Sequence, residues 1–266
     1  MEQLKTMNVA GFTVEYRPGT SDEEVIRDTL TRNVFFKGFP EYKPKDHHVV
    51  LDIGAHIGAY TIQLSSLLKS GKVYAFEPCL DTFTLLENNV RLNNFSNAEV
   101  HKVALTDYIG TTKLFYDIQH GNWGHSIVKS FSDSGEIVET DTLSNFFTKH
   151  GIESCDFIKF NCEGAEFKII LSTPVEVLKK VNNMLVLYHM DLTDEFTVDQ
   201  LIDHLKKAGF YTEIRHIEDE GKRGWLIVMR IGAGQRFIMK TRYTLRPLGH
   251  FSGRVVNKLK RMAGLK

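Results

Sequence analysis

From Val49 onward the chain alternates short runs of β-branched and apolar residues with longer amphipathic segments, and no other feature constrains the fold as tightly. A buried parallel strand reads as a near-continuous apolar run, whereas the helix that carries the chain to the next strand reads with a period of 3.6. Strands are predicted at Val49–Ile53, Lys72–Phe76, Ala98–Val103, Asp156–Asn161 and Met184–His189, with helices near Ala59–Lys69, Leu80–Asn93, Gly164–Leu171 and Thr197–Ala208. Thr197 and Gln200 have capping-box spacing, Gly209 can end that helix in a left-handed conformation, and Pro174 follows Thr173 as at a first helical turn. After Gly209, Tyr211–Arg215 and Gly224–Arg230 read as a closing antiparallel hairpin around the polar run Glu218–Arg223. The expected fold is therefore α/β, a doubly wound, mostly parallel sheet with an antiparallel terminal strand.

Residues 1–45 depart from the alternation and read as an N-terminal cap, a strand at Gly11–Tyr16 followed by a helix around Asp22–Arg32. Residues 46–230 form the expected Rossmann-like domain, interrupted at about 111–140 by a β insertion with alternating segments at Lys113–Tyr116, His125–Lys129 and Ile137–Glu139. A length of 266 residues with 42% hydrophobic content supports one sizeable core. The totals of 33 basic and 33 acidic side chains hide a polarity: nine Lys/Arg and no Asp/Glu follow residue 230. In this tail, 231–266, Val255, Val256, Leu259 and Met262 recur at helical spacing, with Arg254, Lys258, Lys260 and Arg261 largely elsewhere on the wheel. The segment 251–266 permits peripheral contact with an anionic membrane, and equally docking on the acidic domain or on a second subunit. No aromatic-interleaved basic groove of the nucleic-acid-binding kind is evident. No segment approaches the roughly 18 to 20 apolar residues that span a bilayer. Cys79, Cys155 and Cys162 lack CxxC spacing and fit free thiols. The expected location is cytoplasmic, with the inner membrane face as a peripheral site.

The stretch Val49-Val50-Leu51-Asp52-Ile53-Gly54-Ala55-His56-Ile57-Gly58 is a buried strand that runs into a glycine-punctuated turn and a helix. Gly54 is expected to let a ligand approach the backbone, and Gly58 to let the helix pack tightly on its strand. The GxGxxG spacing that clears a pyrophosphate is missing. Asp52 at the strand end suits instead a zwitterionic ligand without phosphate, whose cationic end it would face. Ala55 and His56 complete the loop, His56 as a support for the backbone. The second strand ends in Glu77-Pro78, where doubly wound folds place a carboxylate that accepts from both ribose hydroxyls. Asp107, after the third strand, is either an acceptor for an adenine amino group or a solvated loop carboxylate. Together these residues point to a nucleoside ligand.

The fourth strand ends at Asn161, and Glu163 precedes a helix that starts near Gly164, so both project from the edge where open sheets bind ligands. VVLDIGAHIGAYT, VYAFEP, NAEVHKVALTD, GNWGHS, TDTLSNFF and DFIKFNCEGAEFKIIL, in this order, resemble the FkbM family of S-adenosylmethionine-dependent methyltransferases over about residues 20–190. The resemblance implies a class I methyltransferase fold, S-adenosylmethionine as cofactor, and O-methylation of a hydroxyl on a sugar, glycan, glycolipid or related natural product. Where the family carries Asp in an IKxDxEGxE pattern this chain has Asn161, a poorer ligand for a hard cation and no base, and no catalytic metal is expected.

Methyl transfer is an in-line displacement, so the protein chiefly aligns the acceptor and excludes water, while a positioned group takes the hydroxyl proton. The catalytic candidates are Glu163, His189 and Asn161, with His125 in the insertion as a further imidazole. An imidazole titrating near 6.5 suits His189 to accept a proton near neutrality. Glu166, one turn into its helix, is expected to offset the positive helix end. Rival readings are an N-methyltransferase and a donor-binding module whose active site has decayed.

Overall fold

The computed structural model describes residues 3–117, 125–130 and 133–232. Gly121–Gly124 of the GNWGHS segment and the basic tail 251–266 lie outside them. The chain opens with an antiparallel hairpin, β1 (Lys5–Val9) and β2 (Phe12–Tyr16), of which only the second strand is expected from sequence. Its turn residues Ala10 and Gly11 both have positive φ, 51° and 86°, as the twist of a two-residue hairpin requires. The single expected cap helix is broken: α1 (Asp22–Ile26) widens into a π-helical turn over Arg27–Thr31, and α2 (Val34–Gly38) restarts after Asn33, which is left-handed.

Five parallel strands follow the predicted positions closely. β3 (Val49–Ile53), α3 (Ala59–Leu67), β4 (Lys72–Phe76), α4 (Leu80–Leu92) and β5 (Ala98–His101) make one wing of the sheet. The predicted strand Ala98–Val103 splits, because the chain leaves the main sheet after His101 and enters a second one. This three-stranded sheet comprises β6 (Ala104–Thr106), β7 (Gly110–Phe115) and β8 (Gly135–Thr142). Of the alternating segment His125–Lys129, only Ser126 pairs, through a bridge to Phe115. α5 (Leu143–Lys149) returns the chain to β9 (Phe157–Phe160), α6 (Ala165–Ser172), α7 (Val175–Leu178) and β10 (Asn183–His189). α8 (Val198–Lys207) then leads to the hairpin β11 (Tyr211–Glu218) and β12 (Arg223–Met229). The capping box at Thr197 and Gln200 is formed, Gly209 has φ 88°, and Pro174 stands one residue before α7.

The seven-stranded order is β11-β12-β10-β9-β3-β4-β5. β12 runs antiparallel to both neighbours, and the remaining pairs on its β10 side are parallel. The chain winds outward from β3 through β4 and β5, then crosses back to β9 and β10. The winding direction therefore reverses between β3 and β9, and the carboxyl ends of those strands open a crevice.

Alternation along each strand feeds two cores. Leu51, Ile53, Ile158 and Phe160 pack with α6 and α8 on one face, while Val50 and Phe157 join Phe39, Tyr42, Tyr60 and Leu64 on the other. Each fully buried side chain of this size contributes about 1.5–3 kcal/mol. The N-terminal hairpin is held differently. Asn89 on α4 and Asn93, which caps its end, meet the free backbone edge of β2: each amide accepts a backbone N–H, from Glu15 and Thr13 respectively, and donates to the carbonyl of the same residue. Two side chains thereby satisfy an edge strand that would otherwise present unpaired groups.

Candidate active site

The turn after β3 is clamped to the end of β4. Gly54 and Ala55 both donate their backbone N–H to the Phe76 carbonyl, and the His56 N–H donates to Glu77 Oε2 at 3.0 Å. Glu77 Oε1 accepts from the Cys79 N–H, also at 3.0 Å. Each carboxylate oxygen thus holds one backbone donor and keeps acceptor capacity for another. Burial pushes the Glu77 carboxyl up to about 7; the two backbone donors, Lys159 and Arg17 pull it back only in part. His56 sits in the left-handed region at φ 53°, a costly conformation for a residue with a side chain. Among the described residues neither of its ring nitrogens has a hydrogen-bond partner, although Asp22 of the cap lies 3.5 Å away. Burial lowers the His56 imidazole to about 4 against the opposing pull of Asp22, so the ring is neutral.

These groups line a cavity of about 370 Å³ at the carboxyl ends of β3, β4, β9 and β10. Gly54, Ala55, His56, Glu77, Pro78, Asn161, Glu163 and His189 all reach its wall. Asp52, Gly58 and Asp107 do not. Asp52 is fully buried behind the turn, where it accepts from Thr61 Oγ1 at 2.7 Å and from Lys159 Nζ at 2.9 Å. Its charge is neutralised within the protein, which corrects the expectation that it faces a ligand's cation. Gly58 caps α3 at φ 85°, and a Cβ there would meet Leu86 Cδ1 of α4 at 2.5 Å, so the tight contact is between helices and not with the strand. Gly54 is required by the chain just past β9: an added Cβ would stand 1.8 Å from the Asn161 carbonyl oxygen. Asp107 is exposed and accepts from the neighbouring Thr106 Oγ1.

Glu163 and His189 line the cavity, and Glu166, which does not reach it, joins Glu163 in flanking the imidazole. Glu166 is fully buried; its Oε1 accepts from the His189 N–H at 2.8 Å and lies 3.1 Å from His189 Nδ1, and its Oε2 accepts from the Gly164 N–H. Glu163 Oε2 lies 3.8 Å from His189 Nε2. Burial alone would lower the His189 imidazole, but Glu163 and Glu166 overcome it and raise the ring to about 9. His189 is therefore imidazolium near neutrality, which corrects the expectation that it is a free base there. Burial, reinforced by Glu166, raises the Glu163 carboxyl despite the attraction of His189. Glu163 is also left-handed at φ 50°, followed by Gly164 at φ 96°. Ser126 Oγ donates to the Glu163 carbonyl at 2.7 Å and pins this strained corner to the insertion. His125 lines the same cavity, with Nδ1 accepting from the Asp117 N–H.

Several functional side chains escaped sequence reading. Lys159 is 3% exposed and bridges Asp52 to the Gly54 carbonyl; its signal was a lysine in an otherwise apolar strand, which demands a counter-charge. Arg17 pairs with Asp22 and thereby holds the cap against His56, and no local pattern announced it. Phe35 of α2 and Trp225 of β12 stack at 5.9 Å and add an aromatic wall.

The profile of the Methyltransferase FkbM domain matches residues 52–211, more than half of the chain, and covers the cavity's lining residues except those of the cap, Glu218 of β11, and β12. The chain belongs to the FkbM methyltransferase family. Its methyl donor is S-adenosylmethionine. Methyltransferase 1 of Beauveria bassiana (strain ARSEF 2860) is 25% identical over 195 residues, covering 66% of this chain and 72% of that protein. Methyltransferase sdnD of Sordaria araneosa is 22% identical over 167 residues, covering 52% of this chain and 64% of that protein. TYW2 of M. jannaschii, solved in complex with AdoMet, is a distant structural likeness at 16% identity and TM-score 0.45, covering 87% of this chain and 88% of that one. The cavity's polar groups are compatible with the family's donor: each Glu77 oxygen has one backbone donor and room for another, as a ribose diol would need, and among the described residues the His56 ring nitrogens beside it have no hydrogen-bond partner. Among the described residues no helix is long and apolar enough to cross a membrane.

Proposed function

We propose that this protein transfers a methyl group from S-adenosylmethionine to a hydroxyl oxygen of a sugar, glycan, glycolipid or related natural product. The observation that carries the reading is the Glu163–His189–Glu166 arrangement at the cavity wall. A hydroxyl must shed a proton as it is methylated, whereas a neutral amine attacks without prior deprotonation. Burial holds the Glu163 carboxylate above its ordinary range, which makes it a better base than a solvated one, while the His189 imidazolium beside it favours its ionised form. Glu166 fixes that imidazolium through its own ring and backbone N–H and leaves Nε2 turned toward Glu163. The aromatic wall of Phe35 and Trp225 offers the flat apolar surface on which a sugar ring rests.

Bound S-adenosylmethionine supplies the electrophilic methyl. Glu77 and the turn Gly54–His56 orient the donor, Glu163 accepts the hydroxyl proton, and the cap residues Val25, Thr29, Val34 and Phe35 at the cavity exclude water. Asn161 contributes a neutral amide at the wall and takes no proton.

The test is release of S-adenosylhomocysteine by the full chain with a panel of sugars, glycolipids and hydroxylated metabolites, run beside a panel of amines. Glu163→Gln is expected to slow turnover of the hydroxyl acceptor by about 10²- to 10⁴-fold while calorimetry shows unchanged donor affinity. Turnover restricted to amines, or full activity in the Gln variant, overturns the proposal.

A further inference from the structure

Outside the methyl-transfer cavity, a second cluster of chemistry-bearing side chains joins the free edge of the main sheet to α5. Glu99 and His101 are two residues apart on β5 and share one face of that edge strand. His150 follows the last residue of α5. Glu99 Oε1 lies 3.3 Å from His101 Nε2 and 3.7 Å from His150 Nδ1, and the three atoms are all within 4.8 Å of one another. His101 Nε2 is buried and, among the described residues, has no hydrogen-bond partner, so its contact with Glu99 is close without being aligned as a hydrogen bond.

We propose that Glu99, His101 and His150 form a site for a zinc-class divalent cation, which clamps the edge of the main sheet to α5. Ligand atoms about 2.0–2.2 Å from a tetrahedral zinc stand roughly 3.4 Å apart, and both distances from Glu99 Oε1 are already close to that value. Two imidazoles and one carboxylate suit zinc, whereas magnesium and calcium take oxygen sets. The ligands are held by their surroundings. Lys72 occupies Glu99 Oε2 at 2.8 Å, which leaves Oε1 as the single coordinating oxygen. His150 stacks on Phe146 at 4.1 Å and His101 on Phe76 at 5.2 Å, so both rings are fixed in orientation. Three protein ligands leave a fourth position for water.

An ion here would tie together segments that meet only through tertiary packing. It would also stiffen the route to the donor: the His101 carbonyl accepts from the Glu77 N–H at 3.1 Å, and Phe76 lines the cavity. None of the three ligands reaches the cavity, so the clamp is separate from methyl transfer.

The full chain, stripped with a chelator, is titrated with zinc by calorimetry, and its melting temperature is followed with and without zinc. One ion per chain and a rise in melting temperature are expected. His101→Asn and His150→Asn should each weaken zinc binding at least tenfold and remove the rise. Absence of binding by the unaltered chain, or equal binding by both variants, overturns the assignment. Should either variant fail to fold, X-ray absorption at the zinc edge of the unaltered protein decides: two imidazole nitrogens with oxygen support the site, and one imidazole or any sulfur refutes it.

Discussion

Glu77 shows how one side chain can be set by several small forces. It follows the last residue of β4, takes a backbone donor on each oxygen, and is held near 7 because burial outweighs those donors. A ligand that brings two hydroxyls to the same oxygens would complete a pair of hydrogen bonds to a charged acceptor. Replacement by alanine should therefore weaken S-adenosylmethionine binding by about 1.5–3 kcal/mol, roughly 10- to 150-fold. Calorimetry on a variant whose melt confirms folding makes the comparison, and equal affinity would remove Glu77 from the donor site. Lys159 and Asp52 illustrate the opposite use of charge. Both are almost wholly buried, and breaking such a pair typically costs about 3–5 kcal/mol because the survivor is left uncompensated. Their role is to brace the turn from below through the Gly54 carbonyl, and neither charge is free for a ligand.

At the scale of elements, the N-terminal hairpin depends on α4 as much as on its own pairing. Two strands alone are marginal in water, and β2 finds its third partner in the amides of Asn89 and Asn93. Asn89 also donates to the Ile57 carbonyl, which joins the hairpin, α4 and the turn that carries His56. Asn89→Ala should destabilise the protein by about 1–3 kcal/mol, since two backbone groups of Glu15 lose their partner. Urea unfolding measures the loss, and hydrogen exchange should show the Glu15 amide opening faster than those of β3. An unchanged unfolding midpoint would mean that the hairpin holds without α4. The π-helical turn over Arg27–Thr31 and the left-handed Asn33 lie in the same cap, where Gln63 of α3 donates to Thr29 and Asn33.

For the whole molecule, pH reads out the charges buried around the cavity. His189 is raised to about 9 from an ordinary 6.5, so the stability it contributes is complete below about 6.5 and is lost as pH rises through 9. His56, lowered to about 4, and Glu77, raised to about 7, oppose each other in acid: the first favours the fold as pH rises toward 6.5, and the second disfavours it as pH rises toward 7. Above 7 only His189 of these three still changes. The donor-free protein should accordingly lose melting temperature between pH 7 and 9, and His189→Asn should flatten that slope. A slope that persists in the variant would assign it to other groups.

The strand–helix alternation, the glycine turn and the position of Glu77 were legible in the sequence, because periodicity and turn chemistry act over a few residues and leave local patterns. That is why β3, β4 and β10 fall where the apolar runs put them, give or take a residue, and why Gly54, Ala55, His56, Glu77, Pro78, Asn161, Glu163 and His189 share one cavity. What the chain's local patterns did not disclose was decided by partners far away in sequence. Lys159 meets Asp52 across 107 positions and takes its charge out of play. Glu163 and Glu166 turn His189 from a base into a cation, and Ser126 reaches across 37 positions to hold the Glu163 corner. Charge and protonation depend on what surrounds a group in three dimensions, and only the folded packing supplies those surroundings.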